Sequence, residues 1–325
     1  MASAIFYLTQ NNDIRRTYLK TSLYFLFKNF NHQHNYQVII FHEGDYDEKS
    51  QNEVLQGIRG NSRNFVRFQK VDKDDFVLPD NIDKNKLDNC INTHVTPYWR
   101  NDKYRLMCRW WLNNSIKYAK RFGYEYIMRF DDDSIIEEQI PDIFQWFKDK
   151  DAIYSSNLLH VDCELCCFGM KEFFEKNTNN TKNNIIEKLF HESKVDLNNP
   201  AFNNFKNWLK IAHPDYKIEN VTTLYKPFMF YNNFFITKVS FWNSDDVKKI
   251  LKSIDEDESI FYCRWGDAPL QSIIAQLYGG PDKVVRCQFK YSKRMQREAF
   301  KGDDGNFYQY MPQSYDKSSC ITEYN

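Results

Sequence analysis

Glycine and proline are scarce, ten and nine among 325 residues, while asparagine and lysine abound. That bias reads as an AT-rich coding sequence and says little about activity. Neither sign of charge is in surplus, because Lys plus Arg and Asp plus Glu both number 44. A nucleic-acid binder draws its affinity from a basic excess, so no nucleic-acid partner is expected. No stretch approaches the roughly 20 apolar residues that span a bilayer. The first residues, MASAIFYLTQNND, lack the basic region and long apolar segment of a signal peptide. The expectation is either a soluble chain with no membrane-spanning segment, cytoplasmic by default, or one whose targeting segment has been lost. Also missing are a G-x-G-x-x-G and a Walker motif, so neither a dinucleotide fingerprint nor a P-loop is indicated. The eight cysteines include one C-x-x-C, Cys163 to Cys166, without a second pair at finger or ribbon spacing. Buried free thiols are the simpler reading.

What is present is an alternation of strands and helices. Ala4–Leu8 reads as a first strand, with Asp13 as N-cap of a helix to about Phe30. Val38–Phe41 and Phe65–Phe68 read as further strands, separated by a helix over about 47–58. Such βαβαβ order predicts an α/β fold with a mainly parallel sheet, whose ligands bind outside the carboxyl ends of the strands. Residues 72–102 are polar and without periodicity, as in a lid or binding loop. A helix is expected over 102–121, around YRLMCRWW at 104–111. Residues 168–213 read as mostly helical. FMFYNNFFITKVSFW at 228–242 reads as strand, break and strand, and Lys283–Phe289 as a last strand. One domain is expected over 1–290, with a nucleotide-binding half to about 135, an acceptor-side half over 136–290, and a tail at 291–325.

The chemistry centres on YEYIMRFDDDS at 124–134, an apolar strand running into Asp131, Asp132 and Asp133. Carboxylates there suit a hard divalent cation, and a solvated turn or helix cap suits them equally. In an extended segment Arg129, Asp131 and Asp133 share one face, while Asp132 points away or caps the residues after it. Asp267, in RWGDAP, is either functional or the N-cap of the helix it opens. Trp265 beside it stacks on a sugar or packs in the core. Asn11 is a nucleotide contact or a turn residue.

Four motifs, YRLMCRWW (104–111) before RFDDD (129–133) and YNNFFITKVSFWNS (231–244) before YCRWGDAPLQSI (262–273), together resemble the fungal α-1,2-mannosyltransferases of glycosyltransferase family 15. The likeness covers most of residues 4–291, and RWGDAP is its most specific element. It implies a GT-A fold and retaining transfer of mannose from GDP-mannose, with Mn²⁺ (or Mg²⁺), to a glycan or glycoprotein acceptor. Asp131 and Asp133 match the family's metal-site carboxylates, and Tyr104 a tyrosine close to the transferred sugar. Asp267 matches an acceptor-side aspartate, and Arg129 and Asn233 match positions lining the cleft. The resembled family works in the Golgi or secretory lumen, and its membrane anchor has no counterpart in this sequence.

The departures are as informative. Where the family carries a glutamate that serves as nucleophile or cation stabiliser, this chain has Phe235, which rules out covalent catalysis from that position. Same-face attack, with the departing phosphate taking the acceptor's proton, remains open, as does replacement of the charge by Asp162 or Glu164. The family's metal-site histidine falls at about Ser292, and no histidine lies beyond His213. A catalytically weakened glycan- or nucleotide-binding protein is therefore the competing reading. A metal-dependent phosphodiesterase or nuclease is a third.

Overall fold

The apolar runs become strands: β1 (Ser3–Leu8), β2 (Gln37–His42), β3 (Val66–Lys70), β4 (Tyr126–Phe130), β5 (Ser134–Ile136) and β6 (Tyr154–Ser156). After them come β7 (Leu159–Val161), β8 (Phe190–Lys194), β9 (Thr223–Phe230), β10 (Phe234–Lys238), β11 (Val284–Arg286) and β12 (Tyr291–Lys293). This computed structural model describes residues 2–58, 60–178, 182–218, 221–293, 299–301 and 307–309. Seven strands form the central sheet in the order β11-β6-β10-β4-β1-β2-β3. β1, β2, β3 and β4 run parallel, β6 and β11 pair in parallel, and β10 is antiparallel to both neighbours.

Both faces of this sheet are covered, so its strands are apolar almost throughout. Alternate residues feed two cores. Ala4, Phe6, Phe41, Ile127 and Phe235 join one; Ile5, Tyr7, Ile40, Met128, Phe130 and Ile236 join the other. The first core includes Trp110 and Trp111 from a long helical segment. That segment starts as Asp102–Arg109, passes through a π-helical turn at Trp110–Asn114, and continues as Ser115–Arg121. The helix Asp13–Leu26 contributes Leu19, Leu23 and Leu26 to the second core.

Several local expectations needed adjusting. The first helix is capped by Asn12, whose side chain accepts from the Arg15 N–H, and not by Asp13. The polar stretch 72–102 contains a helix, Lys84–Asn92, capped by Asp83 and anchored by buried Leu87 and Cys90. Residues 168–213 hold helices at Met170–Asn177, Asn183–Leu189 and Asn203–Ala212, but β8 interrupts them and joins β9 and β7 in a second sheet. β5, read only as the sequel of the acidic triplet, pairs with β12. Much of the tail expected at 291–325 lies outside the described residues. Of the part that is described, Tyr291–Lys293 is β12, and Ala299–Lys301 pairs with Phe307–Gln309. Among the described residues no helix is long and apolar enough to cross a membrane.

Candidate active site

β1 and β4 are parallel neighbours, so their carboxyl ends open on the same edge of the sheet. A cleft of about 510 Å³ lies there, lined in part by Thr9, Arg15, Tyr104, Trp111, Arg129, Asp131, Asp132, Asp133 and Lys293. Its floor is the turn after β4. The chain leaves the strand at Phe130 and the Ser134 N–H returns to the Asp131 carbonyl at 3.0 Å. The Asp131 N–H in turn donates to the Asn233 carbonyl at 3.0 Å, which ties the turn to the start of β10.

Arg129, 4% exposed, organises what lies beneath. Its Nε donates to Asp131 Oδ1 at 2.9 Å and its Nη1 to Asp267 Oδ2 at 2.5 Å. The guanidinium carbon lies 4.3 Å from the centre of the Trp111 ring, a cation–π distance. Burial works against the charge of Arg129, but Asp131 and Asp267 more than offset it, so the group stays firmly protonated. Asp267 opens the helix Asp267–Ile274 without capping it. Its carboxylate is spent on Arg129 and on Asn232, whose Nδ2 donates to it at 2.7 Å.

The other two carboxylates of the turn differ. Asp132 is held by the Thr9 hydroxyl and by Arg15 Nη1, each at 2.7 Å. Alternation along an extended strand predicted that it would point away. The strand ends before it, so that parity does not apply, and Asp132 lines the cleft. Burial pushes its carboxyl up to about 6, against the pull of Arg15. Asp133 lines the cleft within electrostatic reach of Lys293. Lys293, at the end of β12, donates from Nζ to Asp131 Oδ2 at 2.9 Å. Burial opposes the charge on Asp131, yet Arg129 and Lys293 prevail and hold it below the usual carboxylate range.

Tyr104 reaches the cleft from the first turn of its helix, where Asn101 caps the Tyr104 N–H. Its hydroxyl is pushed well above the ordinary value by Cys108 and by burial, so it stays a donor. Arg100 and Arg264 each lie 5.8 Å from its ring.

The remaining expected residues do not line this cleft. Trp265 is 2% exposed, donates from Nε1 to the Phe168 carbonyl at 3.0 Å, and packs edge-on to Phe173, as a core residue does. Asn11 accepts from Arg16 Nη1 at 2.6 Å and donates to the Asp45 carbonyl and the Ser50 hydroxyl, bracing the loop after β2. Asn233 is buried with its Nδ2 unpartnered among the described residues. Phe235 pairs across the strands with Arg129 and stacks on Tyr154 at 5.5 Å. Asp162 is paired with Arg264 at 3.0 Å and Glu164 with Lys226 at 3.5 Å, and neither lines this cleft. Thr9, Arg15, Asn232 and Lys293 went unnoticed in the sequence. The parity of Arg129 with Asp131 and the motif matches of Tyr104, Asp131 and Asp133 are what the sequence offers for this cleft.

A divalent ion needs carboxylate oxygens that are free to bind it. Both oxygens of Asp131 are taken by Arg129 and Lys293, and both of Asp132 by Arg15 and Thr9. Among the described residues no group of three or more His, Cys, Asp or Glu is placed to hold a metal. Asp133 is the one carboxylate of the turn with no hydrogen bond from the described residues, so with Lys293 on Asp131 the turn offers Mn²⁺ or Mg²⁺ one open carboxylate and not the pair.

Comparison with known proteins supplies the context. Residues 1–292 match the model of the family described as glycolipid 2-alpha-mannosyltransferase. The chain is 24% identical over 285 residues to glycolipid 2-alpha-mannosyltransferase 1 of Candida albicans, covering 85% of this chain and 58% of that protein. It is 24% identical over 286 residues to the O-glycoside alpha-1,2-mannosyltransferase omh1 of Schizosaccharomyces pombe, covering 85% and 65%. The chain thus spans less than two thirds of the length of either relative. Among solved structures, it superposes on the mannosyltransferase Ktr4p of S. cerevisiae in complex with GDP with a TM-score of 0.70 at 18% identity, covering 99% of this chain and 76% of that one. The Mn/GDP form of core-mannan synthase A from Aspergillus fumigatus gives 0.69 at 18% identity, covering 96% and 81%. These likenesses establish the GT-A fold that the motifs implied. With its sheet order, its acidic turn and a family match running through residue 292, the chain belongs to the glycolipid 2-alpha-mannosyltransferase family.

Proposed function

We propose that this protein transfers mannose from GDP-mannose, with retention of configuration, to a glycan or glycoprotein acceptor. One observation carries the reading. The family's acidic turn, its arginine and its tyrosine converge on one cleft at the carboxyl ends of β1 and β4, where an open α/β sheet binds ligands. The manganese and GDP found in structures of the same fold support the donor class.

In this reading the diphosphate lies over the turn Asp131–Asp133, and Arg129 fixes the turn from below through Asp131 and Asp267. Asp267 acts through Arg129, as a positioning residue, and the Tyr104 hydroxyl donates towards the sugar end of the cleft. With Phe235 buried against Tyr154, that position offers no nucleophile for a covalent step. The acceptor oxygen then bonds to the sugar C1 from the face that the phosphate leaves, and its proton passes to the departing phosphate oxygen.

Incubation with radiolabelled GDP-mannose and mannosyl acceptors tests this. Labelled product, and slow donor hydrolysis without acceptor, are expected from the wild type, and both are lost in Asp131→Ala. Phe235 favours the weakened binding protein as the second reading. GDP binding without turnover on any acceptor would establish it, and absence of GDP binding would end both. Mn²⁺ or Mg²⁺ at Asp131 and Asp133, as the manganese form of the Aspergillus enzyme suggests, would require Lys293 to withdraw from the turn.

A further inference from the structure

We propose that the Lys293 ammonium is this protein's own cation for the donor diphosphate, standing on the acidic turn where a divalent ion would otherwise sit. The proposal rests on the reading of the cleft as a nucleotide-sugar site.

Backbone pairing delivers the lysine. In the β12–β5 ladder Lys293 lies opposite Ser134, the residue that closes the turn. Tyr291, two residues earlier, bonds through its hydroxyl to the Ser134 hydroxyl at 2.7 Å, which locks the strand in register. The Lys293 side chain is 20% exposed, its Nζ is 2.9 Å from Asp131 Oδ2 and 5.3 Å from the centre of the Tyr231 ring, and it lines the cleft. An ammonium carries three donors. Asp131 accepts one of them, so the same group can hold a carboxylate and a phosphate oxygen together.

Charge balance points the same way. The cleft wall carries Arg15, Lys103, Arg129 and Lys293 against Glu43, Asp131, Asp132 and Asp133, four of each sign. Without Lys293 this wall would be net negative, drawing in a divalent ion and repelling a diphosphate. With Lys293 in place the wall is neutral, and a metal ion on Asp131 would meet an ammonium already bound there. Like charges at contact distance in a partly buried site repel strongly. A lysine also needs no dissolved ion, because the chain supplies it.

The chemistry balances without a metal. When the bond between the sugar C1 and the phosphate oxygen breaks, its electron pair stays on that oxygen. Lys293 keeps its proton and offsets the charge that develops, as preorganised cations do in phosphate transfer sites. The acceptor oxygen bonds to C1, and its proton goes to the departing phosphate.

Calorimetric titration of the full chain with GDP, in EDTA and in excess Mn²⁺, tests the proposal, with Mn²⁺ followed separately by electron paramagnetic resonance. Expected are affinities within about threefold of each other in the two buffers, no tight Mn²⁺ site on the wild-type complex with GDP, and a loss of about tenfold or more in EDTA for Lys293→Ala. Lys293→Arg should keep most of the affinity. Lys293→Met retains the buried stem and gives the same answer if Lys293→Ala melts early. GDP binding that requires Mn²⁺ in the wild type, or wild-type affinity in EDTA for Lys293→Met, would overturn the lysine's role and leave the donor reading intact. No GDP binding in either buffer would overturn the donor reading and this inference together.

Discussion

Arg105 and Arg129 are both almost fully buried, and they are held in opposite ways. Arg129 lies between two carboxylates, Asp131 and Asp267. Arg105 bonds to main-chain carbonyls, those of Phe261, of Trp99 at 3.0 Å and of Arg100 at 3.4 Å. The consequence is visible in their acidity. Burial and the nearby Arg264 bring Arg105 down to about 10, whereas the carboxylates keep Arg129 above the ordinary value. A guanidinium that ties three main-chain carbonyls together acts as a brace. One shared by two acids, one of them at the floor of a cleft, sets the charge of a site. Arg129 is followed by acidic neighbours in sequence and Arg105 is not, and the folded partners turn that difference into separate roles.

Removing Arg129 should break the comparison most sharply. Arg129→Leu strands Asp131 and Asp267 without their shared counter-charge, and about 3–5 kcal/mol of stability should go with it, together with all turnover. Urea denaturation and the donor assay read the two losses, and a variant as stable as wild type would mean the carboxylates find other partners. Arg105→Met should cost less, about 2–3 kcal/mol, because three neutral acceptors lose a charged donor. GDP affinity should stay within about twofold, measured by calorimetry on the folded variant. A large loss of GDP affinity in Arg105→Met would show that the brace also shapes the cleft.

The smallest effect concerns two imidazoles, His42 buried and His213 half-buried, that like Arg105 lack enough opposing charge. Burial lowers His42, with Asp45 opposing and Lys70 assisting, and it lowers His213, with Lys86 assisting and Asp257 opposing. The Gly44 N–H donates to His42 Nδ1 at 3.1 Å, which requires that nitrogen unprotonated. A histidine whose folded value lies below its unfolded value binds more protons when unfolded, so stability rises with pH through that window. The two histidines therefore pull the melting temperature down as pH drops from about 7 to about 5, while Asp132, raised to about 6, pulls it up over the lower part of that window. His213→Asn should flatten part of that slope.

The sheet was the legible part of this molecule. β1, β4 and β10 announce themselves because strands covered on both faces are apolar at most positions, and the break at Asn232-Asn233 marks where the chain reverses. Arg129 with Asp131 was legible too, since residues two apart on a strand share a face. That same rule misplaced Asp132, because the strand stops at Phe130 and a turn obeys a different geometry. The helix Lys84–Asn92 was hidden by its brevity, with only Leu87 and Cys90 buried. Trp265 has a side chain suited to stacking on sugar, but its burial against Phe173 is decided by packing that no local pattern encodes. Thr9, Arg15 and Lys293 lie 123, 117 and 162 residues from their carboxylate partners. Contacts at such separation leave no periodic trace, so the part of the cleft they build becomes readable only once the chain has folded.

Strand β12 gives the end of the domain a meaning that composition conceals. A shortened version of this protein stopping at residue 290, where the charged segment begins, would lack the partner of β5 and leave Ser134–Ile136 as a bare edge beside the acidic turn. It would also lack Lys293. Trimming that looks cosmetic would thus remove a wall and a charge at once, leaving Asp131 to Arg129 alone.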